Sequence, residues 1–310
     1  MDPVFADVDT GIDDAIALIY LLASRDVELV GVGSSAGNVG VDQVCANNLG
    51  LLDLCGAADV PVSRGADGPL STELPDRGTP HGPSGLGYAK LPPSTRRVTD
   101  YDSAAAWVSA ARAYRGELIG LATAPLTNLA LALRAEPELP TLLRRLVIMG
   151  GNFGDVPAPE WNLRVDPTAT AEVFAAFAGR ARLPVVCGLN LTRQMVMTPE
   201  FLARLLGAAR SGPLRQFIYD SLRFDFAVHR DRGDGYLAYL HDPLAAGVAL
   251  DPALVSTRPA TVDVESGRGV AVADWSGCRK PNARIATDVD PAVFFERLVD
   301  RLASLAHRLG

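Results

Sequence analysis

Near the start of the chain, Asp7-Val8-Asp9-Thr10-Gly11-Ile12-Asp13-Asp14 places four carboxylates within eight residues. The apolar run from Pro3 to Ala6 reads as a strand, Thr10-Gly11 as a turn, and the sequence from Asp13 as the start of a helix. Like charges this close repel strongly in a low-dielectric crevice. A helix's first turn favours acids, which would account for Asp13 and Asp14. It does not account for Asp7 and Asp9 at the exit of a buried strand. A bound divalent cation neutralises such a set. The four cysteines, Cys45, Cys55, Cys187 and Cys278, form no CxxC pair, and no Cys/His cluster has zinc-ligand spacing. All-oxygen ligands call for a hard ion. Calcium tolerates mixed carboxylate, carbonyl and hydroxyl ligation better than magnesium does, so Ca2+ is the expected metal.

Further candidates lie where strands end or in polar loops. Thr123 precedes Ala-Pro-Leu-Thr-Asn and offers a backbone carbonyl, while Asp242 sits in Leu-His-Asp-Pro-Leu-Ala. Asp-Pro is also a common helix-opening pair. Asn38, Met149, Glu160 and Asn162 complete the group, and each alone suits a structural role as well; their case is collective. A competing reading comes from haloacid-dehalogenase-like phosphatases, which also open with D-x-D after a strand and use magnesium. Here Gly11 stands where that signature wants Thr or Val, and the Asp13-Asp14 pair has no use in that chemistry.

The elements that must position these residues follow a βαβα rhythm. Strands are predicted at Val27–Gly33, Glu117–Ala122, Leu146–Met149 and Pro184–Cys187, with helices over Asp13–Ala23, Val41–Cys55 and Leu126–Arg134. This order predicts an α/β fold with a mostly parallel, Rossmann-like central sheet between helices, whose ligands bind beyond the carboxyl ends of the strands. Two segments break the rhythm: a Gly/Pro-rich loop over 65–93, and a helix from Phe217 to His241 interrupted by Asp-Arg-Gly-Asp-Gly. A small hairpin (Ala260–Glu265 with Gly269–Trp275) and a closing helix (Pro291–Leu309) follow. With no repeat, linker or low-complexity tract, one domain over 1–310 is expected.

Bulk properties narrow the partners. The 310 residues carry a formal charge of −7, which argues against nucleic acid or an anionic membrane and favours a small or uncharged substrate. No apolar run is long enough to span a bilayer and no signal peptide opens the chain, so a cytoplasmic location is expected by default. Cys45 and Cys55, in an apolar helical stretch, read as buried thiols.

The sequence Asp7-Val-Asp-Thr-Gly-Ile-Asp-Asp-Ala-Ile-Ala-Leu18 resembles the amino-terminal signature of the inosine-uridine nucleoside hydrolase family. The likeness runs nearly end to end, through GN (37–38), NNLGLLDL (47–54), HGPSGLG (81–87), TAPLTNLALAL (123–133), IMGGN (148–152), EWNLRVDP (160–167) and HDPLA (241–245). It implies a calcium-dependent hydrolase that splits a ribonucleoside into base and ribose, a place in purine or pyrimidine salvage, and a homodimer or homotetramer. By resemblance, Asp9, Asp14, the Thr123 carbonyl and Asp242 ligate the ion. Asp13, Asn38, Glu160 and Asn162 hold the ribose hydroxyls, and Met149, Asn152 and Trp161 line the sugar pocket. His81 closes over the substrate. Asp9 takes a proton from the attacking water, and His241 serves the departing base, with His229, Tyr236 and Tyr239 as alternatives in the segment before it. Departures from the family pattern are Thr10 for Pro, Ala124 for Gly, Trp161 for Phe and Asn190 for Asp; none falls on an implied metal ligand. A non-catalytic nucleoside-binding protein on the same scaffold would have been marked by loss of Asp9 or Asp242, and both are present.

Overall fold

The structure is a computed structural model that describes residues 1–76, 78, 80–156, 158–265 and 269–310. Strand β1 (Asp2–Val8) leads to helix α1 (Ile12–Ala23), β2 (Val27–Ser34) to α2 (Val41–Leu54), and β3 (Val62–Arg64) through a long irregular stretch to α3 (Ser103–Ala113). Residues 77 and 79 of the expected 65–93 loop lie outside the described residues. Next come β4 (Ile119–Ala122), α4 (Thr127–Ala135), α5 (Leu139–Leu142), β5 (Arg145–Met149), α6 (Trp161–Val165) and α7 (Pro167–Ala176). β6 (Val185–Cys187), the one-turn α8 (Leu189–Thr192), β7 (Val196–Met197), α9 (Pro199–Ala208) and α10 (Pro213–Arg232) follow. The chain ends with β8 (Ala238–Tyr239), α11 (His241–Leu250), β9 (Val255–Glu265), β10 (Val270–Asp274), β11 (Ala283–Val289) and α12 (Pro291–Leu309).

Among the described residues, nine strands form one sheet in the order β10-β9-β11-β6-β5-β4-β1-β2-β3. The run from β6 to β3 is parallel throughout, as the βαβ alternation predicts. Alternation along β1 sends Val4, Ala6 and Val8 into one apolar core and Phe5 into the other, where it meets Trp107 at 4.6 Å between ring centroids. Helices α1, α11 and α12 pack together on the first face. Helix α1 is buried throughout Ile12 to Leu21, and after Asp13 and Asp14 that run is apolar around nearly its whole circumference. Trp107 of α3 and Leu129 of α4 fill the second core.

The expected carboxy-terminal hairpin forms as β9 and β10 and is part of the main sheet: β9 starts at Val255, and β11 pairs with it antiparallel and with β6 in parallel, giving a mostly parallel sheet with an antiparallel carboxy-terminal part. β11 has the short alternating pattern Ala-Arg-Ile-Ala-Thr-Asp-Val, buried only at alternate or paired positions. The helix expected over 217–241 begins at Pro213 and stops at Arg232. Gly233 there takes φ +89°, a left-handed conformation that ends helices with little steric cost. His241 consequently opens a new helix instead of closing an old one.

Candidate active site

Strand order reverses at β1: β2 and β3 extend to one side, and β4, β5 and β6 to the other. Ligands of open α/β sheets bind at such a switch point, beyond the carboxyl ends of the strands. The residues leaving β1 and β4 there are Asp9 and Thr123, both buried. Above them lies a cavity of about 430 Å³.

The acidic set beneath it sorts into distinct roles. Asp7, with the parity of Phe5, faces α3 and α4 and accepts hydrogen bonds from Ser35 Oγ (2.8 Å), Trp107 Nε1 (2.8 Å) and Asn128 Nδ2 (3.1 Å). Burial pushes its carboxyl up, against the opposing pull of those donors. Asp7 is thus a structural acid and takes no part in the cluster. Asp13, Asp14 and Asp242 do cluster: each offers a carboxylate oxygen within 4.8 Å of the others. Burial first, then the charges of Asp13, Asp14 and Asp9, drive the Asp242 carboxyl well above the usual carboxylate range. Asp9 stands beside this triad. Its Oδ2 accepts the Asn38 backbone N–H at 2.7 Å. A Cβ on Gly37 would fall 2.1 Å from that same oxygen, so only glycine lets this loop close onto Asp9.

Capping and turn chemistry hold the acids in place. Asp14 Oδ2 accepts Gly11 N–H (2.9 Å) and Asn38 Nδ2 (3.2 Å), and its Oδ1 accepts Thr123 Oγ1 (2.8 Å). Thr10, at the position where the family pattern has Pro, fixes the turn through its hydroxyl, which donates to Asn48 Oδ1. Asn47 donates to the carbonyls of Thr10 (3.2 Å) and Ser84 (2.8 Å), tying the turn to the His81–Gly87 loop. His81 Nδ1 accepts Ile12 N–H at 3.2 Å and lies 3.9 Å from Asp13 Oδ1.

One wall of the cavity suits a polyhydroxylated ligand. Asn162 Nδ2 donates to the carbonyl of Thr123 at 2.7 Å and approaches that of Met149 at 3.3 Å. Glu160 caps α6, accepting from Asn162 N–H (2.9 Å), Leu163 N–H (3.1 Å) and Gly151 N–H (2.8 Å). Asn38 Oδ1 is buried and has no hydrogen-bond partner among the described residues. A native protein rarely keeps such an acceptor idle, and here it lines the ligand cavity. The opposite wall is aromatic and imidazole-rich. His241 Nδ1 is 2.7 Å from Thr192 Oγ1, and Tyr239 stacks on the His241 ring at 5.7 Å with 27° between planes. His229 meets the Tyr239 ring edge-on at 5.0 Å and lies 3.6 Å from Asp225 and 3.0 Å from Asp234.

The structure gathers Asp13, Asn38, His81, Thr123, Met149, Glu160, Trp161, Asn162, His241 and Asp242 around one cavity, with Asp9 and Asp14 fully buried at its floor. Asn152 is not among its lining residues. The chain turns at Gly151 (φ +80°), and Asn152 lines a different, smaller cavity with Phe153 and Trp275. Tyr236 is exposed and packs on Phe226. Sequence reasoning missed Asp225, Arg193 and Arg232 on the lining, and Thr192 beneath His241. Asp225, His229 and Arg232 all lie on α10, at helical spacing that was legible in sequence; Thr192 and Arg193 depend on where the one-turn α8 is placed.

Fold and site together define an α/β enzyme with an acidic crevice ready for a metal. A family profile described as inosine-uridine preferring nucleoside hydrolase matches residues 4–296. The chain is 35% identical over 312 residues, 97% of this chain and 98% of the other, to a protein named pyrimidine-specific ribonucleoside hydrolase RihA from Escherichia coli O8 (strain IAI1). Among solved structures, a plant nucleoside hydrolase (PpNRh1) is similar with a TM-score of 0.89 and 30% identity, over 97% of this chain and 99% of that one. A purine-preferring ribonucleoside hydrolase from Gardnerella vaginalis gives 0.90 and 28%, over 98% and 99%. This chain belongs to the inosine-uridine preferring nucleoside hydrolase family and is a ribonucleoside hydrolase. Among the described residues, no helix is long and apolar enough to cross a membrane.

Proposed function

We propose that this chain, acting as one catalytic domain, hydrolyses the N-glycosidic bond of ribonucleosides to free base and ribose with calcium as its metal. Pyrimidine ribonucleosides and inosine are its favoured substrates. The observation that carries this reading is the Asp13-Asp14-Asp242 cluster, within 4.8 Å, beside Asn38 Oδ1, which has no hydrogen-bond partner among the described residues. Three buried carboxylates without a cation repel one another, and a hard dication relieves that repulsion. Asp9, Asp14, Asp242 and the Thr123 carbonyl would hold it. When bound, the ion would polarise a water and anchor the ribose hydroxyls O2′ and O3′.

The chain's own groups supply the rest. Asp13, Asn38, Glu160 and Asn162 bind the ribose and align C1′ with the attacking water, turning remote sugar affinity into orientation. Asp9, held by the Asn38 N–H, accepts a proton from that water. The surrounding carboxylates stabilise the positive charge that develops over C1′ and the ring oxygen. His81 covers the sugar, and Met149 and Trp161 close its apolar side. His241 donates a hydrogen bond to the departing base as the electron pair of the C1′–N bond moves onto it. The phosphatase reading has no support left: the family is different, and the Asp13-Asp14 pair belongs to the acidic cluster.

The test is a panel of natural ribonucleosides and 2′-deoxyribonucleosides assayed for free sugar, with chelator and with calcium. Ribose release that requires the metal and the 2′-hydroxyl is expected. Equal rates on deoxyribonucleosides, or rates indifferent to chelator, would refute the proposed ribose grip.

A further inference from the structure

Thr192 is fully buried at the end of α8, and its Oγ1 lies 2.7 Å from Nδ1 of His241. A hydroxyl carries one proton and can accept through its lone pairs, whereas imidazole can take a proton on either nitrogen. Among the described residues, the Thr192 hydroxyl forms no other hydrogen bond. Among those residues, His241 Nδ1 is therefore the hydrogen-bond acceptor of its buried proton. The reverse arrangement, with Nδ1–H donating to Thr192, would leave that proton desolvated and unshared, which is the costlier alternative.

We propose that Thr192 is a positioning residue whose hydroxyl donates to His241 Nδ1, holding the ring in its Nε2–H tautomer so that it presents a donor to the departing base. The inference rests on the role proposed above for His241. Two other features fix the ring in this setting. Tyr239 stacks on its face at 5.7 Å, and Leu240 N–H donates to the Met195 carbonyl at 3.0 Å, joining the residue before His241 to the segment after α8. With Nδ1 turned to Thr192, Nε2 is the ring nitrogen that would serve the cavity His241 lines. A second hydrogen-bond partner that fixes which imidazole nitrogen carries the proton is the usual way proteins set a histidine's function.

The test uses the full-length protein labelled with nitrogen-15. The chain has four histidines, so comparison with His241→Gln assigns the His241 ring signals. In the wild type, with the ring neutral, Nε2 should resonate as a protonated nitrogen and Nδ1 as an unprotonated acceptor. Thr192→Val, nearly the same shape without the hydroxyl, should lose that preference, and Thr192→Ser should keep it. In kinetics, Thr192→Val should lower kcat on uridine or inosine about tenfold more than on 4-nitrophenyl β-D-ribofuranoside, whose phenolate leaves without a donor. KM should change little, and Thr192→Ser should recover most of the loss. A wild-type spectrum with the proton on Nδ1 would overturn the proposal, as would equal losses on both substrate types. If Thr192→Val failed to fold, the wild-type spectrum would decide alone. Absence of ribose release from every nucleoside by the wild type would strike the proposed function instead, leaving the tautomer to be judged by its own signals.

Discussion

Replacing Asp242 with Asn separates the cost of the acidic cluster from its use. Carboxylate oxygens of Asp13, Asp14 and Asp242 lie within 4.8 Å of one another. At an effective dielectric of about 20, two ionised groups at that distance repel by roughly 3 to 4 kcal/mol. Without metal, Asp242 escapes this cost by keeping its proton, which is the sense of its raised carboxyl. A raised acid adds stability that is complete at low pH and is lost as pH rises through the folded-state value. The chelated wild type should therefore melt progressively lower as pH climbs above the ordinary carboxylate range. Asp242→Asn removes that part of the slope; Asp7, also raised, contributes equally to both proteins. In chelator at neutral pH the variant should match or exceed the wild type. Calcium at a thousand times its Kd should then add about 4 kcal/mol to the wild type, roughly 6 °C for a chain of this size, and far less to the variant. Melting scans of both proteins in chelator and in millimolar calcium read this crossing. A variant less stable than the wild type in chelator at neutral pH, or a wild type indifferent to calcium, would refute the reasoning.

Three further outcomes are expected. Asp9→Asn should lower kcat on nucleosides by about 10²- to 10⁴-fold without unfolding, the range for a lost general base, and near-normal turnover would remove Asp9 from that role. Gly37→Ala would place a Cβ 2.1 Å from Asp9 Oδ2, so displacement of that carboxylate should cut kcat about a hundredfold; an unchanged kcat would show the contact to be unimportant. Trp107→Phe deletes the 2.8 Å bond to buried Asp7 and should cost about 1 to 3 kcal/mol in denaturant titration while leaving the rate constants near normal. A large activity loss in that variant would mean Asp7 does more than hold the sheet.

Much of this architecture could be read from residue patterns, for identifiable reasons. Strands β1, β2, β4, β5 and β6 each carry a short apolar run because both faces of the sheet are covered there, and such runs announce themselves. Strand β11 alternates polar and apolar residues over a short span at the junction with the antiparallel strands, and it went unseen. The floor of the site was legible because carboxylates crowded at a strand exit have few physical explanations. The distribution of their labour was not. Asp7 and Asp9 look equivalent in sequence, yet Asp7 lies within β1, where alternation turns it toward Trp107, and Asp9 follows the strand's end. Thr192 gave no signal because its meaning comes from His241, a partner far along the chain. The helix expected over 217–241 was misplaced at its end, which Gly233 rather than His241 sets.

The most direct test of the account is a crystal structure of the protein grown with calcium and ribose. It predicts one calcium ion between Asp14, Asp242, Asp9 and the Thr123 carbonyl, with O2′ and O3′ of the sugar on the ion and Asn38 Oδ1 accepting a hydrogen bond from the ribose. Ribose bound elsewhere, or a crevice holding no ion under saturating calcium, would contradict it.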